Sequence, residues 1–247
     1  MNILLLDIET SPNLCYSFST RNAFISWDAI AEPSRMMCFA ARWLDGEVTY
    51  FYSEWKHGRR DMLLVLRDML NEADVVMHYN GQKFDERRVN GELWQEGLMP
   101  PSPYQRIDLW KVVNRRFDLP SQKLAYVLKT AKLPNKIDSG GIGLWIAVLK
   151  GEAWAQEKFE RYNIQDVDAM VPLYYTLRPW IDDHPNHANF RDDGEVCCTN
   201  CGEQNFQKRG YARTQQRTYQ RYRCNPCGTW FRDTRGVSGA SVRAVAF

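Results

Sequence analysis

Asp7 and Glu9 stand two residues apart at the end of an aliphatic run, Ile3-Leu4-Leu5-Leu6. A run of this kind without glycine or proline predicts a buried strand, on which alternate side chains share a face. Two carboxylates side by side on one face repel each other. A shared proton or a divalent cation with oxygen ligands relieves the repulsion. A strand running out into a solvated acidic turn is the other reading. Asp85 follows an Asn80-Gly81 turn where a helix is expected to begin, and a helix-start acid can also be solvated. Tyr162 and Asp166 lie four apart in a helical stretch, so phenol and carboxylate stack on one face, as a surface pair would too.

A second group has a different chemistry. Cys198-Thr-Asn-Cys201-Gly202 and Cys224-Asn-Pro-Cys227-Gly228 form C-x2-C-x22-C-x2-C, with a glycine after each pair. That spacing suits tetrahedral thiolate coordination of one Zn²⁺, with the glycines letting the backbone turn around the ion. Cys197 is a spare thiol beside the first pair. Cys15 and Cys38 are isolated among apolar neighbours and are expected to be buried thiols.

The elements that must hold these groups follow from the patterning. Leu14–Phe18, Met37–Leu44 and Glu47–Tyr52 are expected as strands, the last two joined by an Asp45-Gly46 hairpin turn. Helical spacing marks Arg59–Glu72, and a short strand is expected over Asp74–Tyr79. A helix should follow from Lys83 to Glu96, then a strand end at Arg106–Leu109. Helices are expected over Ser121–Ala131, Gly143–Leu149 and Ala153–Leu177. Strands first, then strand–helix alternation, then helices, give an α/β chain with a mixed sheet flanked by helices. The glycine-rich Lys136–Gly143 stretch lacks the Gly-Lys-Ser/Thr of a phosphate loop and reads as a connector.

The polar, aperiodic stretch 182–194 is expected to link a body, residues 1–181, to a small zinc ribbon, residues 195–235, with a tail at 236–247. The overall balance of +2 is uneven. Residues 194–247 carry nine Lys/Arg against three acids, which is +6, leaving −4 for the rest. An acidic body with a basic module suggests a polyanionic partner held by the module. With 44% hydrophobic and 25% charged residues, the chain is an ordinary globular protein rather than a disordered one. It has no apolar run of membrane-spanning length and no basic segment ahead of its first apolar run, so no membrane partner and a cytoplasmic location are expected.

Taken in order, Asp7-x-Glu9, Asn80-x-x-x-Phe84-Asp85 and Tyr162-x-x-x-Asp166 resemble the three motifs of the DEDD 3′–5′ exonuclease superfamily. This is the DnaQ-like, proofreading branch of the ribonuclease-H-like fold, and the tyrosine marks the DEDDy subgroup. The resemblance covers roughly residues 1–180 and is closest to compact exonucleases of phages and bacteria. It implies two Mg²⁺ or Mn²⁺ ions, with Asp7 bridging both, Glu9 and Asp166 completing one site, and Asp85 helping to hold the second. It places Tyr162 where a residue positions the attacking water. Arg161 and Tyr162 occupy the positions at which a DEDDh enzyme has histidine. Asn80 is expected to order its loop or touch substrate, Asp108 to be structural, His78 to be packed, and Asp168 to be solvated.

The basic segment Phe206–Arg223 looks like a zinc ribbon of the transposase-associated kind. Arg213, Arg217 and Arg221 are expected at phosphates, and Tyr222, Trp230 and Phe231 in the ribbon's own core. The expectation is therefore a metal-dependent 3′–5′ exonuclease acting on nucleic acid, DNA rather than RNA, and single-stranded. An exoribonuclease and a non-catalytic nucleic-acid-binding protein of the same fold are the alternatives. A transposase would space its acids singly, unlike Asp7-x-Glu9.

Overall fold

A computed structural model of the chain describes residues 1–19, 24–81, 84–134 and 140–241. The expected helix start at Lys83, residues 136–139 of the glycine-rich stretch and residues 242–247 of the tail lie outside the described residues. The chain divides into two compact units, Asn2–Leu173 and Tyr174–Phe247, the latter with Met1. The division falls inside one long helix, and residues 182–194 go with the second unit.

The first unit holds β1 (Ile3–Thr10), β2 (Leu14–Cys15), β3 (Ile30–Glu32), β4 (Met36–Trp43), β5 (Thr49–Ser53) and α1 (Glu54–His57). There follow α2 (Arg59–Glu72), β6 (Val75–His78), α3 (Asp85–Gln95), β7 (Gln105–Asp108), α4 (Leu109–Arg116), α5 (Leu124–Thr130) and α6 (Ile142–Leu149). α7 (Ala153–Leu177) begins in this unit and ends in the next. The central sheet runs β5-β4-β1-β6-β7. β1 pairs antiparallel with β4 and parallel with β6, so it lies in the middle, with its aliphatic side chains buried on both faces.

Alternation along β1 assigns each face a partner. Leu4, Leu6 and Ile8 pack with Met62, Leu63, Leu66 and Leu70 of α2 and with Val89 and Leu93 of α3. The opposite face of the sheet, through Met37 and Cys38 of β4, packs on Leu144, Ala147 and Val148 of α6 and on Ala155 and Phe159 of α7. Each fully buried aliphatic side chain contributes about 1.5–3 kcal/mol, so these two layers anchor β1 and fix its register.

Two expectations fail near the start of the chain. Leu14–Phe18 is not a strand of the central sheet. Only Leu14–Cys15 is extended, paired with β3 in a separate two-stranded sheet, and Leu14, Tyr16 and Phe18 are exposed. Cys15 is correspondingly exposed, not buried, whereas Cys38 is buried on the central sheet. Among the described residues, the alternation of apolar residues here has no second layer to pack against.

The second unit contains β8 (Phe206–Arg213), β9 (Arg217–Cys224), β10 (Trp230–Arg232) and β11 (Ser238–Gly239), with β9 pairing antiparallel to the other three. Before this sheet, His184 is buried, and its Nε2 lies 2.8 Å from the Tyr174 hydroxyl. The Asn200 amide donates to the carbonyls of Arg178 and Ile181 at 2.9 and 2.7 Å. No helix among the described residues is long and apolar enough to cross a membrane.

Candidate active site

Asp7 and Glu9 lie on the face of β1 that meets α7. Their cross-strand partners on β4 are small, Ala40 and Cys38. α7 turns a continuous stripe toward the sheet: Ala155, Phe159, Tyr162, Asn163, Asp166, Val167 and Met170, recurring in the i, i+3, i+4 pattern of one helix face and all buried. The polar members sit where the stripe reaches the end of β1. One carboxylate oxygen each from Asp7, Glu9 and Asp166 lies within 4.8 Å of the other two. Asp166 is buried, while Asp7 and Glu9 are half-buried. Three carboxylates at this range repel strongly, and an all-oxygen donor set of this density fits a hard divalent cation.

Neighbouring groups hold the carboxylates. The Asn163 amide, fully buried, donates from Nδ2 to Asp7 Oδ2 at 2.6 Å, and its Oδ1 lies 3.8 Å from Cys38 Sγ. Asn163 was not singled out from the sequence. Its signal was its place three residues before Asp166, which puts an amide on the same buried stripe. The Tyr162 hydroxyl donates to Asp166. Burial first, then the charges of Asp166, Glu9 and Asp7, push its pKa well above the usual tyrosine range. The phenol thus keeps its proton at neutral pH and acts as a donor, not as a base. Its ring packs near Trp145 and Phe159, and the Trp145 indole donates to the Thr10 carbonyl at 3.1 Å, tying α6 to the end of β1.

Asp85 is not in that triad. It opens α3 beyond the end of β6, the strand beside β1, and is buried with Asp108 and Glu86 for charged neighbours. Burial, reinforced by those two charges, raises its pKa to about 7. The turn before it is tight. A β-carbon on Gly81 would collide with the Asp85 carboxylate and stand 2.8 Å from Cβ and Cγ of His78. Asn80 takes the left-handed conformation (φ 66°), and its backbone N–H donates to Asp108 Oδ1 at 2.9 Å. Asp108 also accepts from the Trp110 N–H at 3.1 Å, capping α4. Asp108 thus orders the Asn80 turn while terminating a neighbouring element. His78 is packed and fully buried, and burial holds its imidazole neutral. Asp168 is not simply solvated, since it accepts from Arg42 Nη1 at 3.0 Å and from Thr49 Oγ1 at 2.5 Å.

In the second unit, Sγ atoms of Cys198, Cys201, Cys224 and Cys227 all lie within 4.8 Å of one another. The Cys198–Cys227 and Cys201–Cys224 separations are 3.6 and 3.5 Å. A tetrahedron with metal–sulfur bonds of about 2.3 Å has sulfur–sulfur edges of about 3.8 Å, so the four sulfurs fit one thiophilic ion. Backbone N–H groups of Asn200 and Cys201 donate to Cys198, that of Glu203 to Cys201, and that of Thr229 to Cys227. Such donors stabilise thiolates. Gly202 and Gly228 both adopt positive φ, 73° and 77°, as the knuckle turns require.

The ribbon's sheet separates the expected contact and core residues. Tyr222, Phe231 and Phe206 form an aromatic cluster with ring centroids 5.2–5.3 Å apart. Trp230 is not in that core. It pairs with Arg223, one position out of phase with Phe231, and is half exposed. Arg213 and Arg217 are exposed, and Arg221 is partly covered.

A family model described as RNase_H superfamily matches residues 31–178. The matched stretch contains Asp85, Tyr162 and Asp166 and begins after Asp7 and Glu9. Among solved structures, the family B DNA polymerase from the hyperthermophilic archaeon Pyrobaculum calidifontis is similar, with a TM-score of 0.56 and 16% sequence identity. The likeness covers 72% of this chain and 24% of that chain, so it spans a minor part of the polymerase and concerns the fold. No curated protein matches significantly.

Proposed function

Because the chain belongs to the RNase_H superfamily, we propose that it is a divalent-metal-dependent 3′–5′ exonuclease acting on single-stranded DNA. The observation that carries this reading is the convergence of Asp7, Glu9 and Asp166 within 4.8 Å, with Tyr162 and Asn163 hydrogen-bonded to two of them. Asp7, Glu9 and Asp166 would hold one Mg²⁺ or Mn²⁺, and Asp85 would help hold a second with Asp7 between them. When bound, such ions supply Lewis-acid chemistry: activation of water and neutralisation of charge on the phosphate and on the leaving 3′ oxygen.

The chain's own residues supply the positioning. Asn163, donating to Asp7 Oδ2, fixes the orientation of that carboxylate. Tyr162, protonated throughout the neutral range, offers its Oη as a hydrogen-bonding post for the attacking water. The Asn80 turn, clamped by Asp108, sets the approach of the substrate beside Asp85. In the second unit, Cys198, Cys201, Cys224 and Cys227 would hold one structural Zn²⁺, and the basic ribbon built on it would grip the strand being shortened.

One time course tests the reading. Matched single-stranded DNA, duplex DNA and RNA, each labelled at the 5′ end, are incubated with the full chain and Mg²⁺ or Mn²⁺. The expected result is a ladder shortening from the 3′ end, fastest on single-stranded DNA and abolished by Asp7→Ala. Intact substrates, internal cuts, or full activity in Asp7→Ala would overturn it.

A further inference from the structure

We infer that the ribbon's arginine-bearing face is a stacking platform for unpaired bases, centred on Trp230, which identifies its partner as single-stranded nucleic acid. This deepens the proposed gripping role of the ribbon and rests on it.

The register of β9 sorts the ribbon into two unlike faces. Phe206 pairs with Cys224 and Phe231 with Tyr222, so the aromatic core and the cysteine side share one face. Arg213, paired with Thr218, belongs to that face too. On the other face lie Arg217, Tyr219, Arg221 and Arg223 of β9, with Trp230 opposite Arg223 and Arg232 opposite Arg221. The guanidiniums are interleaved with the rings. Arg221 and Arg223 approach the Trp230 ring at 4.7 and 5.9 Å from its centroid, and Arg232 lies 3.8 Å from that of Tyr219.

Two features of this face point outward. First, Arg221 stands directly opposite Arg232, with Arg223 and Arg217 on the same face, and like charges facing each other across strands destabilise a sheet. Among the described residues, no carboxylate forms a salt bridge with any of these four arginines, and Asp233 instead accepts from the Tyr222 hydroxyl. A face that gathers four cations against its own stability is complementary to a polyanion. Second, Trp230 is 51% exposed at the middle of the cations. An acidic peptide or polyphosphate would use the charges and leave the indole idle. A strand with unpaired bases uses both, with phosphates on the guanidinium forks and a base stacked on the indole, whereas a duplex keeps its base faces covered.

Binding without cleavage tests this. Fluorescence anisotropy of a 5′-labelled oligothymidylate is titrated with the zinc-loaded full chain in the absence of added Mg²⁺ or Mn²⁺. Trp230→Ala should weaken binding about tenfold, within the range found for loss of one base–aromatic stack, and Trp230→Phe should stay near wild type. Arg223→Gln and Arg232→Gln should each weaken binding and lower the salt slope by about 0.7, while Lys208→Gln, opposite Tyr222 on the other face, should change neither. Duplex DNA and polyglutamate should bind more weakly than the single strand. Zinc content checks each variant's fold, and the two Gln variants carry the test if Trp230→Ala loses its zinc. Wild-type affinity in Trp230→Ala, equal losses in Lys208→Gln and Arg223→Gln, or tighter binding of the duplex or polyglutamate would overturn the inference. Cleavage of 5′-labelled strands is read separately, so failure here leaves the exonuclease reading standing.

Discussion

Gly81→Ala is a single methyl whose consequences can be worked from the structure. The added carbon would stand 2.8 Å from His78 Cβ and Cγ and would overlap the Asp85 carboxylate. Carbon atoms in contact prefer about 3.5–4.0 Å, so roughly 1 Å of overlap must be relieved. His78 cannot give way, because it is fully buried on β6 and paired in register with Asp108. The movement therefore falls on Asp85 and the first turn of α3. Overpacking of this kind costs about 1–3 kcal/mol, and a displacement near 1 Å of a group that positions the reaction costs about 10²-fold in rate. Single-turnover release of the 3′-terminal nucleotide and urea unfolding read the two effects. Gly91→Ala in the same helix is the control. A methyl there meets nothing within 4 Å, so it should leave the rate unchanged and stabilise the chain by up to about 1 kcal/mol. A Gly81→Ala protein within twofold of wild type in rate, with unchanged stability, would refute the reasoning.

Two further predictions follow from hydrogen-bonded aromatic and imidazole groups. Tyr162→Phe keeps the ring packing against Trp145 and Phe159 but removes the Oη, so stability should hold while the cleavage rate falls about 10- to 100-fold. His184, buried with its Nε2 accepting from Tyr174 and its Nδ1–H donating to the Pro185 carbonyl at 2.7 Å, has its pKa lowered to about 4, mainly by burial. Its stabilising contribution is present above pH 6.5 and is lost as pH falls toward 4. The stability gap between the wild type and His184→Gln, both zinc-loaded, should therefore shrink on acidification by up to about 3 kcal/mol, and a gap constant with pH would contradict this.

Much of both units was legible because the signals are local. The aliphatic run ending in Asp7 and Glu9, the helical stripe through Tyr162 and Asp166, and the glycine after each cysteine pair depend on periodicity or on φ. What escaped depends on partners distant in sequence. Leu14–Phe18 has the alternation of a strand, but among the described residues no layer covers it, and its apolar residues and Cys15 are exposed. Trp230 and Phe231 are neighbours in sequence, yet only the pairing with β9 decides which of them enters the core. Asn163 reads as one more polar residue in a helix until Asp7, 156 positions earlier, is brought against it. α4 went unnoticed because its start is set by Asp108, whose role as a cap comes from the same carboxylate that clamps Asn80.

The central claim is that Asp7 is shared by two ions in an oxygen-ligand site. Counting bound Mn²⁺ by electron paramagnetic resonance, on zinc-loaded wild type and Asp7→Asn, tests it most directly. Two Mn²⁺ per chain in the wild type and loss of both in the variant is the expected result. No Mn²⁺ binding in the wild type, or an unchanged count in Asp7→Asn, would contradict it.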